Sequence, residues 1–183
     1  MSELKQKLEI IAFSGKLGSG KNYIAEQLFK NMLSPNVPTI VMALADQLKV
    51  DCCVKDGVNY DRAFIKKDEK SRVLMQKRGT EEGRNKYGND IWTNTIDIWI
   101  KVYLNRGIQR FIITDVRFPN EVEWVHKNGG IVIRVEAPNR NLEALQQESN
   151  GNENFMKQIA NHASETSLDD FNGFDFIILN DYE

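Results

Sequence analysis

Short runs rich in valine, isoleucine and phenylalanine recur along the chain at 9–14, 39–43, 110–115, 131–136 and 174–179. Each has strand length, and most are apolar throughout, as strands buried on both faces of a parallel sheet are. Between them, apolar residues recur at helical spacing over roughly 21–33, 45–53, 68–78, 90–106 and 119–128. In the first of these, Ile24, Ala25, Leu28, Phe29 and Met32 form one stripe. The stretch 90–106 fits two periods. Trp92, Ile96, Trp99 and Tyr103 follow a helix, while Ile96, Ile98, Ile100, Val102 and Leu104 alternate as in a strand. Its length, about 16 residues without a turn signal before Arg106-Gly107, predicts a helix. The next helix opens on Pro119, carries Glu121 and Glu123 near its start, and stops before Gly129.

Strands alternating with helices predict an α/β fold, a three-layer α/β/α arrangement around a five-stranded parallel sheet. The chain reads as one domain over residues 1–183, with a lid-like insertion at about 138–164. That insertion is polar and longer than a simple connection needs, so it reads either as a lid over a site or as a surface insertion.

Composition narrows the partners. The chain has 183 residues, 41% hydrophobic and 27% charged, with a formal net charge of −2, which gives no basis for a polynucleotide-binding surface. Cys52 and Cys53 are adjacent and His126 and His162 far apart, so neither a disulfide framework nor a zinc site is expected. A cytoplasmic setting fits that cysteine usage. No apolar run approaches the length of a membrane span, and no signal-peptide core stands near Met1, so no membrane partner is expected.

The first strand leads into Ser14-Gly15-Lys16-Leu17-Gly18-Ser19-Gly20-Lys21-Asn22, and a helix follows. Strand, glycine loop and helix are the context of a phosphate-binding P-loop. Glycines let the backbone wrap closely, so that its N–H groups and the helix N-terminus face a polyphosphate. Gly15, Lys16, Leu17, Gly18, Ser19, Gly20, Lys21 and Asn22 are the candidate polyphosphate cradle, with Lys21 on the β- and γ-phosphates. Asn22 stands where a hydroxyl normally ligates Mg²⁺, which makes its amide oxygen the candidate metal contact.

Ligands of open α/β sheets bind outside the carboxyl ends of the strands. Lys49 follows the second strand at the start of a helix, and Asp115 and Arg117 end the third. Asp115 is placed where P-loop enzymes hold a carboxylate near the metal or its waters, and Arg117 can fork onto a phosphate. Arg72 and Gln76 are four residues apart, one helical turn, and Arg78, Thr80 and Arg84 follow closely. Cations beside a P-loop suit transfer between two anions, which must be held together against repulsion.

The blocks Ser14-Gly15…Gly20-Lys21, Ala45…Leu48-Lys49, Arg72-Val73-Leu74-Met75-Gln76 with Gly79-Thr80-Glu81, and Gly88…Asp90-Ile91-Trp92 resemble a known family. So do Asp115-Val116-Arg117…Asn120-Glu121 and His162-Ala163-Ser164-Glu165…Leu168. In order and spacing they are similar to the deoxynucleoside monophosphate kinases of bacteriophages and large DNA viruses, within the P-loop nucleoside monophosphate kinase superfamily. The resemblance implies transfer of the ATP γ-phosphoryl group to a (deoxy)nucleoside 5′-monophosphate, with ATP and Mg²⁺ as cofactors. It implies Lys21, Arg117, Asp115 and Arg72 as the catalytic set. Lys49, Arg72, Gln76, Thr80, Arg84, Trp92, Asp115 and Arg117 would meet the small-molecule monophosphate. Arg140 would serve the lid, because Ala137 stands before Pro138 where the family tends to have arginine. Two alternatives stay open: a P-loop kinase of another phosphorylated metabolite, such as phosphomevalonate, and a non-catalytic nucleotide-binding protein. The sequence leaves homodimerisation open.

Overall fold

A computed structural model describes residues 8–31 and 36–181. Five strands, β1 (Glu9–Ser14), β2 (Thr39–Met42), β3 (Arg110–Val116), β4 (Ile131–Glu136) and β5 (Phe176–Leu179), form one sheet in the order β2-β3-β1-β4-β5. Every pairing is parallel, with Ile10 opposite Phe111 and Ala12 opposite Val132. The three-layer fold that the alternation predicts is therefore the fold observed.

Side chains of a strand alternate between faces, and the two central strands feed two cores. Ile10 and Ala12 of β1, with Phe111 and Ile113 of β3, pack on one face against Ile96, Ile100, Val122 and Val125. Phe13 and Ile112 pack on the other against Ala25, Ile24 and Leu28. Phe13, Phe111, Ile112 and Ile113 are fully buried, and each such side chain contributes roughly 1.5–3 kcal/mol. A satellite cluster of Cys52, Ala63 and Met75, flanked by Leu48 and Phe64, lies away from the sheet.

The helices are α1 (Lys21–Asn31), α2 (Asp46–Asp56), α3 (Glu69–Gln76), α4 (Asn85–Tyr87), α5 (Ile91–Leu104) and α6 (Pro119–Lys127). After β4 come α7 (Pro138–Ser149), α8 (Glu153–Ala160) and α9 (Ala163–Thr166). The ambiguous stretch at 90–106 is helical, as its length predicts. None of the helices in the described residues is long and apolar enough to cross a membrane.

Several boundaries differ from expectation. The helix expected over 68–78 ends at Gln76 and passes into a π-helical segment, Lys77–Arg84. A second π-helical turn covers Asp61–Ile65. Neither has a hydrophobic period of its own. α2 continues past Cys53 to Asp56, where Gly57 in the left-handed region stops it. β5 starts two residues late, at Phe176; just before it the Asp175 N–H donates to the Val132 carbonyl at 3.0 Å while the Asp175 carboxylate accepts the Val132 N–H at 2.7 Å. The predicted end of the first helix, including Met32, lies outside the described residues. The polar stretch 138–164 is mostly helical, with Phe155 and Ile159 buried.

Candidate active site

The carboxyl ends of β1 and β3 open onto a cleft with a cavity of about 460 Å³. At the end of β1 the chain wraps tightly. A Cβ on Gly15 would come within 2.7 Å of the Val135 carbonyl oxygen, while Gly18 and Gly20 adopt left-handed φ of 78° and 80°. Those positions require glycine. Asn180 Nδ2 donates to the Ser19 carbonyl at 2.9 Å and ties the loop to the chain beyond β5. Lys21 extends along the cleft wall, its Nζ 3.5 Å from the Lys16 carbonyl oxygen. Burial, with the nearby Arg117 cation adding to it, lowers the Lys21 pKa to about 7.

An anion already sits on this loop. The Glu165 carboxylate accepts the Leu17 N–H at 2.8 Å and, through its other oxygen, Arg117 Nη1 at 2.9 Å. Its side chain is 7% exposed. Glu148 from α7 does the same to Arg72, accepting from Nε at 2.8 Å and Nη2 at 2.7 Å. Two carboxylates from α7 and α9 thus occupy the two arginines at the heart of the expected acceptor site.

The remaining walls are built by buried tethers. Asp115 accepts the N–H groups of Leu44 at 2.7 Å and Ala45 at 3.1 Å, fastening the end of β3 to the start of α2. Both its oxygens hold backbone, so it is a staple lining the cleft. Glu121 accepts the N–H groups of Arg117 at 2.6 Å and Phe118 at 3.1 Å, and also a hydrogen bond from Arg84 Nη2. Burial raises the Glu121 pKa to about 7 against the pull of Arg84 and those N–H groups. Arg84 also lies over the Phe118 ring at 3.8 Å and donates to the Asn89 carbonyl at 2.7 Å. Trp92 donates its indole N–H to the Gly79 carbonyl at 2.9 Å, and a Cβ on Gly83 would meet its ring at 2.8 Å. The π-helical segment is clamped by that indole.

The cleft brings together Leu17, Lys21, Asn22, Lys49, Arg72, Gln76, Thr80, Arg84, Trp92, Asp115 and Arg117, all singled out from the sequence. Arg84 and Trp92 line it but direct their polar groups into structure. Lys49 is paired with Asp46 at 3.0 Å and lies over Phe64. Lys16 turns away to Asp169 at 2.7 Å. Arg140 lies against the P-loop, its carbonyl oxygen 2.8 Å from a Cβ on Gly18 and its Nη2 3.8 Å from one on Gly20. Sequence reasoning passed over Lys67, Glu121, Glu148 and Glu165 as site residues; the last two lie 76 and 48 residues from the arginines they hold.

The donor set suits a polyphosphate: the Leu17 N–H already binds a carboxylate, and Lys21 waits in a partly buried wall. Asn22 lines the cleft, and its amide oxygen is a ligand of the kind Mg²⁺ accepts. No group of three or more His, Cys, Asp or Glu side chains suited to a metal gathers among the described residues.

Residues 13–130, from the end of β1 to the start of β4, match the family model for phosphomevalonate kinase. The chain belongs to the phosphomevalonate kinase family. The matched stretch carries the P-loop, Arg72, Asp115 and Arg117, and it ends before α7. The fold is that of P-loop kinases. It is similar to the crystal structure of TT1252 from Thermus thermophilus, at 18% identity and a TM-score of 0.54, over 95% of this chain and 89% of that one. The crystal structure of APE1195 aligns at 16% identity and a TM-score of 0.46, over 94% and 86%. No curated protein matches the sequence. The family is thus one of kinases acting on a phosphorylated metabolite, a coarser statement than the deoxynucleoside monophosphate kinase resemblance and one that names a different acceptor.

Proposed function

We propose that this chain transfers the γ-phosphoryl group of ATP to the phosphate of a small phosphorylated metabolite. The observation that carries the reading is the pairing of a P-loop with Arg72 and Arg117 on one cleft, each arginine already holding a carboxylate in place of a phosphate. In this reading the Leu17 N–H and Lys21 hold the donor phosphates, and Arg72 and Arg117 hold the acceptor. Bound Mg²⁺ would neutralise charge on the nucleotide, with Asn22 beside it. The attacking group is a phosphate oxygen, so rate comes from positioning and charge neutralisation, without a base on this chain. The Asp115 staple keeps the β3 end, and with it Arg117, in register with α2.

The family makes phosphomevalonate the first acceptor to test. A second reading, a nucleoside 5′-monophosphate, has its own observation: Phe64, Met75, Trp92 and Phe118 give the cleft an apolar, partly aromatic wall that a base could lie against. A panel of phosphomevalonate, deoxynucleoside and nucleoside monophosphates, each with ATP and Mg²⁺, decides by diphosphate formation. Turnover of one class and not the other names the acceptor. No diphosphate from any member would refute the kinase reading.

A further inference from the structure

Resting on that kinase reading, we propose that Lys67 is a third cationic seat for the acceptor phosphate, closing with Arg72 and Arg117 around it. The π-helical turn Asp61–Ile65 packs Ala63 and Phe64 into the satellite cluster, and its end is fixed by the Lys66 N–H donating to the Asp61 carbonyl at 2.8 Å. Two residues later the chain is fixed again. Asp68 accepts the Ser71 N–H at 2.8 Å and its own N–H donates to Ser71 Oγ at 3.0 Å, a capping box that starts α3. Lys67 lies between these two anchors; it and the more exposed Lys66 both line the cleft.

Its electrostatic setting is unusual. Lys49, Arg72 and Arg84 in the same cleft are paired with Asp46, Glu148 and Glu121, and Arg117 with Glu165. Lys67 has no carboxylate at ion-pair distance among the described residues, and in the same cleft Lys21 and Lys66 also stand outside ion-pair distance of one. The adjacent acid, Asp68, is engaged by the α3 cap and by Arg62 at 3.3 Å. The charged groups that act on the Lys67 amine are Arg72 from α3, Lys49 from α2, and Arg117 and Asp115 from the end of β3. Three are cations, and Asp115 has its oxygens on backbone N–H groups. Burial and those cations lower the pKa of Lys67 to about 8. An ammonium held among like charges is unfavourable until an anion arrives. A phosphate dianion supplies that anion, and it suits three cations lining one cleft better than the single-charged carboxylates that now hold Arg72 and Arg117.

The test uses the full chain with the donor half filled by a non-hydrolysable imido analogue of ATP with Mg²⁺, and inorganic phosphate titrated as the acceptor probe by calorimetry. Lys67→Gln should weaken phosphate binding about tenfold or more, the loss expected for one charge-assisted contact. Lys67→Arg should hold phosphate within about threefold of the parent, and affinity for the ATP analogue should be unchanged in both. Parent affinity should fall as pH rises through about 8, and Lys67→Arg should move that fall upward. The empty Lys67→Gln chain should melt no lower than the parent, because a charge is removed from among cations. In turnover, the acceptor KM should rise with the ATP KM unchanged. Unchanged phosphate affinity in Lys67→Gln would overturn the proposal, as would equal losses of phosphate and ATP-analogue affinity with a lowered melting temperature. Loss of phosphate binding in that variant, with no acceptor ever turned over, would leave the seat standing and remove the kinase reading.

Discussion

Lys21 is the residue at which folding and ligand binding pull hardest against each other. Free in the unfolded chain, its amine keeps its proton to an ordinary pKa of 10.5; in the folded, empty cleft it gives it up at about 7. Between those values the unfolded chain binds more protons than the folded one, so stability rises with pH across that window. We expect the ligand-free chain to be more stable to urea at pH 9 than at pH 6.5. Lys21→Met should be more stable than the parent at pH 6.5, by about 1 kcal/mol or more, with a flatter pH slope and no protection by ATP. Lys67 acts in the same direction, so the slope should be reduced and not abolished. Parallel pH profiles in parent and variant would contradict the assignment. Lys21 was legible in the sequence because its neighbours are local: a strand, glycines at fixed spacing and a helix. Lys67 was not, because its significance depends on which acids are already engaged elsewhere.

Among the elements, the strands of the sheet follow from apolar runs that feed two cores, and those runs are written in consecutive residues, whereas the order of the strands is not. The segment Lys77–Arg84 is different. Its Lys-Arg-Gly-Thr-Glu-Glu-Gly-Arg sequence has too few apolar residues to show any period. Its shape comes from Trp92, thirteen residues on, whose indole N–H takes the Gly79 carbonyl. π-helical segments are uncommon and often stand at functional sites. Here one sets Thr80 on the cleft and carries Arg84 to Glu121. Gly83→Ala would put a methyl group 2.8 Å from the Trp92 ring and 2.9 Å from the Arg78 carbonyl oxygen. Overpacking of that kind should cost about 1–3 kcal/mol and raise the acceptor KM, measured by urea unfolding and by steady-state kinetics. A variant as stable and as active as the parent would show that the indole does not clamp the segment.

Across the whole molecule, residues far apart in sequence decide the state of the cleft. The arginines come from α3 and the end of β3, and the carboxylates that hold them come from α7 and α9, beyond the matched family stretch. Glu165 engages a P-loop N–H and Arg117 together, so in the proposed kinase it would compete with both substrates. Glu165→Gln keeps the shape and removes the charge. It should lower the KM for ATP and acceptor several-fold, in line with the roughly 1 kcal/mol lost from a partly buried charge-assisted contact. Raised KM values would mean that Glu165 assists binding. No local pattern announces such pairs, and sequence spacing of 48 and 76 residues explains why reading along the chain finds the arginines and not their partners.

The staple made by Asp115 has a consequence for chemistry as well as shape. With its oxygens on Leu44 and Ala45, and with Glu121, Glu148 and Glu165 each holding N–H groups or an arginine, every carboxylate that lines the cleft is engaged. His162 accepts the Ser164 N–H on Nδ1 at 3.2 Å, which leaves the proton on Nε2, and burial holds its pKa down, so the neutral ring presents a donor. A hydroxyl acceptor needs a group to take its proton; a phosphate oxygen does not. The carboxylates and the imidazole of the cleft are thus committed to structure, and the phosphate acceptor proposed above would ask no proton transfer of them.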